Sequence, residues 1–262
     1  TGLLRACSYA LDTFISSPVP PAVSPTKTTQ RSTLPHSVTL LRAATAISPV
    51  EVSIVDYGLG NLRSVTRGLE KAGATVETTH EPAEIESAEA LVLPGVGAFE
   101  EGMEGASDMT DALLEAAEDT PLLGVCLGMQ MLMTESEEGT TGAEDDAVEG
   151  LGLVEGRVVR FPSGVGKVPH MGWNTLSVER DHPVMDGVDS EHFYFVHSYY
   201  ADAGESTTAT TEYGHTADET VSFSSVVAND RGNVVGTQFH PEKSGDAGLL
   251  LLRNFVEFAS DF

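Results

Sequence analysis

From Glu51 onward the chain alternates short apolar runs that end in glycine with stretches whose apolar residues recur at helical spacing. This alternation narrows the possible folds more than any other feature. VEVSIVDYG is a β-branched run closed by Gly58; NLRSVTRGLEKAG then spaces Leu62, Val65 and Leu69 along one helical face and stops at Gly73. ATVETT and EALVLPG repeat the strand signal, a helix is expected from Glu100 to Glu118, and PLLGV opens a further strand. Strands that alternate with helices pair in parallel and carry helices on both faces. After about Leu151 the text becomes a succession of strands: LGLVEGRVVRF, NTLSVER, HFYFVHSYYAD, TTATTEY, VSFSSVVAND and NVVGTQFH. The amphipathic stretch AGLLLLRNFVEFAS closes the chain. The expectation is one α/β domain over residues 51–262: an open mixed, mainly parallel sheet flanked by helices, with an antiparallel extension in the C-terminal half.

Residues 1–50 are a different polymer. SSPVPPAVSPTKTTQRSTLP is rich in Ser, Thr and Pro, follows neither period, and is expected to be disordered. A Ser/Thr/Arg-rich, acid-poor leader is similar to an organellar transit peptide. The chain opens on Thr1 with no methionine before Met103, however, and the favoured expectation is an incorrectly extended start.

Charge excludes a class of partners. The net charge is -26, and because residues 1–50 hold four bases against one acid, the body carries ten bases against thirty-nine acids. A phosphate backbone or an anionic membrane needs clustered Lys and Arg, which this body lacks, so neither nucleic acid nor membrane is an expected partner. No apolar run approaches the length of a membrane span, which points to a soluble chain. An acidic, lysine-poor surface stays hydrated where salt screens its self-repulsion. The reading is a halophile's cytoplasmic protein; the alternative, an acidic domain for a basic partner, needs the acids gathered on one face, and they are dispersed.

Two glycine-rich spots lie at strand ends. DYGLGNLRS has Gly58 and Gly60 but Arg63 where a dinucleotide fingerprint needs a small residue, so it reads as a tight strand-to-helix turn, and no cofactor is expected. LPGVGAF places Gly95, Val96 and Gly97 at the C-terminal end of a strand, where ligands collect in open parallel sheets. It is either an anion-stabilising nest of backbone N–H groups or merely a turn.

Gly124-Val125-Cys126-Leu127-Gly128 has the form of a nucleophile elbow with Cys in place of Ser. A strand ends there on a strained residue that begins a helix, the flanking glycines relieve the crowding, and the positive end of the helix favours thiolate. The competing reading is a buried free thiol acting as a small hydrophobe. A thiolate needs a base, and the base an orienting acid. GTQFHPEKS supplies both, His240 at a strand end and Glu242 two residues on across the stiffening Pro241. His80, His182 and His215 fall in polar loop text, and His192 and His197 flank an aromatic strand. No Cys or His cluster has metal-ligand spacing.

With Cys126, His240 and Glu242 in view, the chain resembles the class I, triad-type glutamine amidotransferases, whose marks are GVCLGMQ and HPE. PHMGWN at Pro169 to Asn174, with DYGLGNLRS and FYFVHSYY, resembles one branch, the glutaminase subunits of imidazole glycerol phosphate synthase in histidine biosynthesis. The resemblance spans Glu51 to Phe262, and residues 1–50 match nothing in the family. It implies glutamine hydrolysis with Cys126 as nucleophile, His240 as acid and base, and Glu242 as orienter. The oxyanion is expected at the backbone N–H groups of Val96 and Leu127. Substrate contacts are expected from Gly95, Gly97, Gln130, Glu138 and the backbone near Ser198 and Tyr199. This chain has no second catalytic domain to use the ammonia, so a partner is implied: in the branch, a (β/α)8-barrel cyclase subunit. Trp173, the only tryptophan, is expected as a surface anchor in a Pro/Gly loop, with core burial as its alternative. Pro169, Met171 and Asn174 accompany it, Tyr194 and Lys243 match positions along the ammonia exit, and Asn61 and Arg63 are further interface candidates. Two other readings stay open: another amidotransferase glutaminase, such as the anthranilate synthase or pyridoxal phosphate synthase subunit, and a regulatory subunit that binds glutamine without cleaving it.

Overall fold

A computed structural model describes residues 49–139, 147–214 and 219–262, so the expected disordered segment, apart from its last two residues, and His215 lie outside the described residues. The first half is the expected alternation. Strands β1 (Glu51–Val55), β2 (Thr75–Thr79), β3 (Ala90–Gly95) and β4 (Leu122–Cys126) alternate with helices α1 (Leu62–Ala72), α2 (Pro82–Glu86), α3 (Phe99–Gly105) and α4 (Thr110–Asp119), and the short α5 (Leu127–Leu132) follows β4 at once. These four strands pair in parallel in the order β2-β1-β3-β4. The chain winds outward from β1 in both directions, so the crevice at the strands' C-terminal ends opens beside β3.

The remaining strands are β5 (Met133–Ser136), β6 (Val148–Glu149), β7 (Val154–Arg160), β8 (His170–Thr175), β9 (Ser177–Val178), β10 (His192–His197), β11 (Tyr199–Asp202), β12 (Thr207–Tyr213), β13 (Val221–Ala228) and β14 (Val234–Thr237), before the closing helix α6 (Gly245–Asp261). Strand β14 returns to lie parallel to β4, and β13, β11 and β7 continue the sheet antiparallel from it. Strands β8 and β10 form a separate antiparallel ribbon.

Period-2 alternation sorts the core onto two faces. Val52 and Ile54, Ala90 and Val92, Leu123 and Val125 face one cluster with α1 and α6. Val55, Leu91, Leu93 and Leu122 face a second cluster with Ile85, Phe99, Leu113 and α5. A parallel strand buried on both sides reads as a continuous apolar run, which is why ALVLPG and LLGVC contain no polar face.

Three local expectations are corrected. The helix expected from Glu100 to Glu118 is broken into α3, a 3₁₀ turn at Ser107–Met109, and α4. At the break, Gly105 lies against Tyr57, whose carbonyl oxygen would be 2.6 Å from a Cβ there. The Pro/Gly text around Trp173 is strand β8, paired Trp173 to Tyr194 and Met171 to Val196 in β10, not a loop. His182 is not a solvated surface histidine: its Nδ1 accepts from Val184 N–H at 3.2 Å and its Nε2–H donates to the Gly232 carbonyl at 2.8 Å.

Candidate active site

Cys126 is the last residue of β4 and the one that starts α5, and its backbone is held at φ 56, ψ -107. A non-glycine residue in this region stores strain that its surroundings must enforce. The glycines on either side allow it. A Cβ on Gly128 would run into the carbonyl oxygen of Leu93 in β3, and one on Gly124 would lie 2.8 Å from Met129 N and 2.7 Å from Leu132 Cδ1. The frame around Cys126 is therefore a packing requirement: α5 presses against β3 and β4 with only hydrogen atoms between.

Next to the thiol, the segment after β14 contributes the acid–base pair. Thr237 lies in register with Val125, so the chain leaving β14 runs alongside Cys126. The turn at Pro241–Lys243 then folds Glu242 back under His240, with Nδ1 to Oε1 at 3.0 Å and side chains only 2 % and 1 % exposed. His240 N–H donates to the Tyr194 carbonyl and Ser244 Oγ–H to the His240 carbonyl, which fixes the imidazole's backbone on both sides. Burial works against a charged imidazole here, but Glu242 and Cys126 outweigh it and raise the His240 pKa to about 9. Burial likewise opposes ionisation of Glu242, and His240 with Lys243 Nζ at 3.8 Å overcomes it, so the carboxyl titrates below its usual range. The pair is held as carboxylate and imidazolium, with His240 Nε2 buried and without a standard hydrogen bond.

Gly95 and Gly97 flank Val96 at the end of β3, directly beside Cys126 in the pairing of β3 with β4. Gly95 packs on the start of α5, where a Cβ would lie 2.8 Å from Gly128 N, and Gly97 has φ +120. Val96 and Leu127 thus belong to adjoining backbone segments at one end of the sheet. Tyr57, from the turn after β1, donates its buried hydroxyl to the Pro94 carbonyl at 2.6 Å and clamps this loop; burial and Cys126 both push its pKa up.

The expected substrate residues divide. Glu138 accepts from Phe99 N–H at 3.0 Å, tying the end of the β5 segment to the first turn of α3, and burial raises its pKa. Gln130 is buried with both N–H bonds of its side-chain amide committed inside the protein, at 3.0 Å to the Tyr199 carbonyl and 3.0 Å to Gln238 Oε1. It is a framework group at this end of the sheet rather than a free donor. The Ser198 carbonyl accepts from Phe161 N–H at 3.2 Å.

The ribbon gathers the expected interface residues. Met171 and Trp173 stay on the outer side of β8 at 43 % and 50 % exposed, and the Trp173 ring stands edge-on to Tyr194 at 6.2 Å. Core burial of Trp173 is excluded. Pro169 follows a cis peptide bond, and Asn174 turns its amide to the Glu212 carbonyl at 2.9 Å. Lys243 adjoins the triad turn, while Asn61 caps α1 and Arg63 is exposed on its first turn. Helix α1 packs on that same turn, since Gly68 faces Glu242.

Three residues escaped the sequence reading: Tyr57 and Gln238 beside the thiol, and His170 in the ribbon. His170 sits in PHMGWN and forms a buried pair with His197, Nδ1 to Nε2 at 3.0 Å. Among the described residues no group of His, Cys, Asp and Glu could hold a metal ion.

The profile of the class-I glutamine amidotransferases matches residues 53–258. The chain belongs to the class-I glutamine amidotransferase family. Within the family its curated relatives mark the branch. The imidazole glycerol phosphate synthase subunit HisH of Natronomonas pharaonis is 58 % identical over 211 residues, 79 % of this chain and 94 % of that protein. Its counterpart from Haloarcula marismortui is 55 % identical over 231 residues, 80 % of this chain and 96 % of that protein. Haloarchaeal relatives agree with the halophilic reading of the acidic composition. Among solved structures, a glutamine amidotransferase of 24 % identity superposes with a TM-score of 0.59 over 79 % of this chain and 98 % of that one. A chain of PurLQS from Thermotoga maritima does so at 20 % identity and TM-score 0.59, over 80 % of this chain and 99 % of that one. At these identities what is shared is the fold, with its mainly parallel sheet and antiparallel continuation.

Proposed function

We propose that residues 51–262 form the glutaminase domain of an imidazole glycerol phosphate synthase, which hydrolyses L-glutamine to glutamate and ammonia and passes the ammonia to a separate (β/α)8-barrel cyclase subunit. Cys126 Sγ attacks the side-chain carbonyl carbon of glutamine. The resulting oxyanion is met by backbone N–H groups of Val96 and Leu127, where preorganised donors contribute most. His240, poised as imidazolium, delivers its proton to the nitrogen, the C–N bond breaks, and ammonia leaves a glutamyl thioester. His240, now neutral, takes a proton from water, which attacks the thioester and releases glutamate and the thiol. Glu242 holds the ring and stabilises its charge throughout.

The observation that carries this reading is the meeting, at one end of the sheet, of a backbone-strained cysteine with a buried His240–Glu242 ion pair. The ribbon, with Met171 and Trp173 exposed and the half-buried Tyr194 beside them joining it to His240 through its carbonyl, supports docking of the cyclase there. In this reading the complex works in the cytoplasm; among the described residues no helix is long and apolar enough to cross a membrane. The test is covalent trapping. A chloroketone analogue of glutamine should add one equivalent to Cys126 by mass spectrometry, with free glutamine protecting. Protection without glutamate release would point instead to a regulatory subunit that binds glutamine intact.

A further inference from the structure

Resting on Cys126 as the nucleophile, we propose that Gln238 is a positioning residue that donates its side-chain N–H to Cys126 Sγ and steadies the thiolate between turnovers. Gln238 follows β14 immediately, and the pairing of Thr237 with Val125 carries it alongside Cys126. Its backbone N–H remains tied to the Ser225 carbonyl at 2.9 Å, so its position does not depend on the turn beyond. Its Nε2 lies 3.9 Å from Cys126 Sγ, and the side chain is fully buried.

The orientation of the amide is dictated by a chain of hydrogen bonds that runs one way only. A backbone carbonyl can only accept. The Tyr199 carbonyl therefore requires an N–H from Gln130 at 3.0 Å, and an N–H from His197 Nδ1 at 2.8 Å. Gln130 turns its second N–H to Gln238 Oε1 at 3.0 Å, which leaves the Gln238 N–H₂ facing sulfur. Flipping either amide would set nitrogen against nitrogen or oxygen against oxygen. On the far side, a proton on His197 Nδ1 makes its Nε2 the acceptor for His170 Nδ1–H at 3.0 Å. His170 Nε2 then faces Asn174 Nδ2 at 3.4 Å. Burial keeps both rings neutral, as this arrangement requires, with His170 lowered to about 4 and His197 to about 3. Every member of the relay from the ribbon to the thiol thus has one allowed polarity, and a buried amide whose partners are all satisfied is costly to reorient. A donor at sulfur favours the thiolate over the thiol.

The test uses the full chain in multimolar KCl. The pH dependence of Cys126 alkylation by iodoacetamide is measured in the wild type, in Gln238→Met, which keeps the volume but removes the donor, and in Gln238→Asn, which withdraws the amide by one methylene. The expected result is a loss of about tenfold in alkylation rate near neutral pH for Gln238→Met, with the profile displaced to higher pH, and a smaller displacement in the same direction for Gln238→Asn. Glutaminase kcat should fall in step while KM stays unchanged. A merely structural role would lower thermal stability and leave the profile in place. Superimposable profiles in whichever of the two variants folds would overturn the proposal while leaving Cys126 as nucleophile. A wild-type cysteine that alkylates no faster than a free thiol would overturn the nucleophile reading and this proposal together.

Discussion

Gly128→Ala adds one methyl group at the point where α5 meets β3. That methyl would overlap the Leu93 carbonyl oxygen and stand 2.8 Å from the Leu93 carbonyl carbon, where ordinary contact begins at 3.4 Å. The obstacle is backbone in the centre of the sheet, so it cannot swing aside as a side chain would. The carbonyl carbon alone demands a movement of 0.6 Å, the gap between 2.8 and 3.4, and the nearer oxygen demands more, so the first turn of α5 must shift by more than that. Overpacking of this kind costs about 2 kcal/mol, or about 4–8 °C in Tm for a domain of this size. The functional loss should exceed what instability explains, because Leu127 N–H and Cys126 ride on the displaced turn. A misplacement approaching 1 Å costs about a hundredfold in rate. Gly73→Ala is the control: Gly73 has a left-handed backbone, at φ +108, but no atom within 4 Å of an added Cβ. It should cost about 1 kcal/mol and leave the rate alone. Glutamate release per folded molecule, with Tm by calorimetry, separates the two. Equal activities in Gly128→Ala and Gly73→Ala would refute the claim that the glycine frame exists to let the elbow form.

Glu242→Gln should lower the His240 titration from about 9, since Cys126 alone then opposes the effect of burial, and should cut the rate by about a thousandfold; histidine NMR and a pH–rate profile check both. The same pair sets a stability window. The His240 contribution is full below its unfolded pKa of 6.5 and lost as pH rises through about 9, whereas the Glu242 contribution is present above 4.5 and lost as pH falls below it. The neutral His170–His197 pair behaves oppositely to His240: unfolding takes up two protons between pH 6.5 and about 4, so these two residues reduce stability by about 2.7 kcal/mol per pH unit near pH 5. His197→Phe should halve that part of the slope in urea titrations at fixed salt. Trp173→Ala should leave trapping by the chloroketone unchanged and weaken cyclase binding by about thirtyfold, or about 2 kcal/mol, measured by calorimetric titration.

How legible all this was depended on the range of the interactions. The parallel half could be read because each buried strand is a continuous apolar run and each helix carries its own period, signals local to a dozen residues. The elbow could be read for the same reason: Gly124, Cys126 and Gly128 are neighbours in the chain, and the strain at φ 56 is implied by their spacing. What failed was non-local. Nothing in the text around Gly105 reveals that the Tyr57 carbonyl packs against it where α3 ends. Pro169 and Gly172 disguised β8 as a loop, because its strand character comes from pairing with β10. His170 looked like one polar residue in a motif until the ribbon register set it opposite His197. Gln238 was hidden similarly; only the β14–β4 pairing brings it to Cys126, and only the folded chain shows that Gln130 turns its side-chain N–H bonds to the Tyr199 carbonyl and Gln238 Oε1.

The measurement that bears most directly on the central claim is glutamate release in multimolar salt, with and without the cyclase partner and its nucleotide ligand, using Cys126→Ala as the blank. The account predicts slow release by the isolated chain, a marked rise on adding the cyclase and ligand, and none from Cys126→Ala in either state. Equal release with and without the partner would contradict assignment to the synthase, and undiminished release from Cys126→Ala would contradict the triad itself.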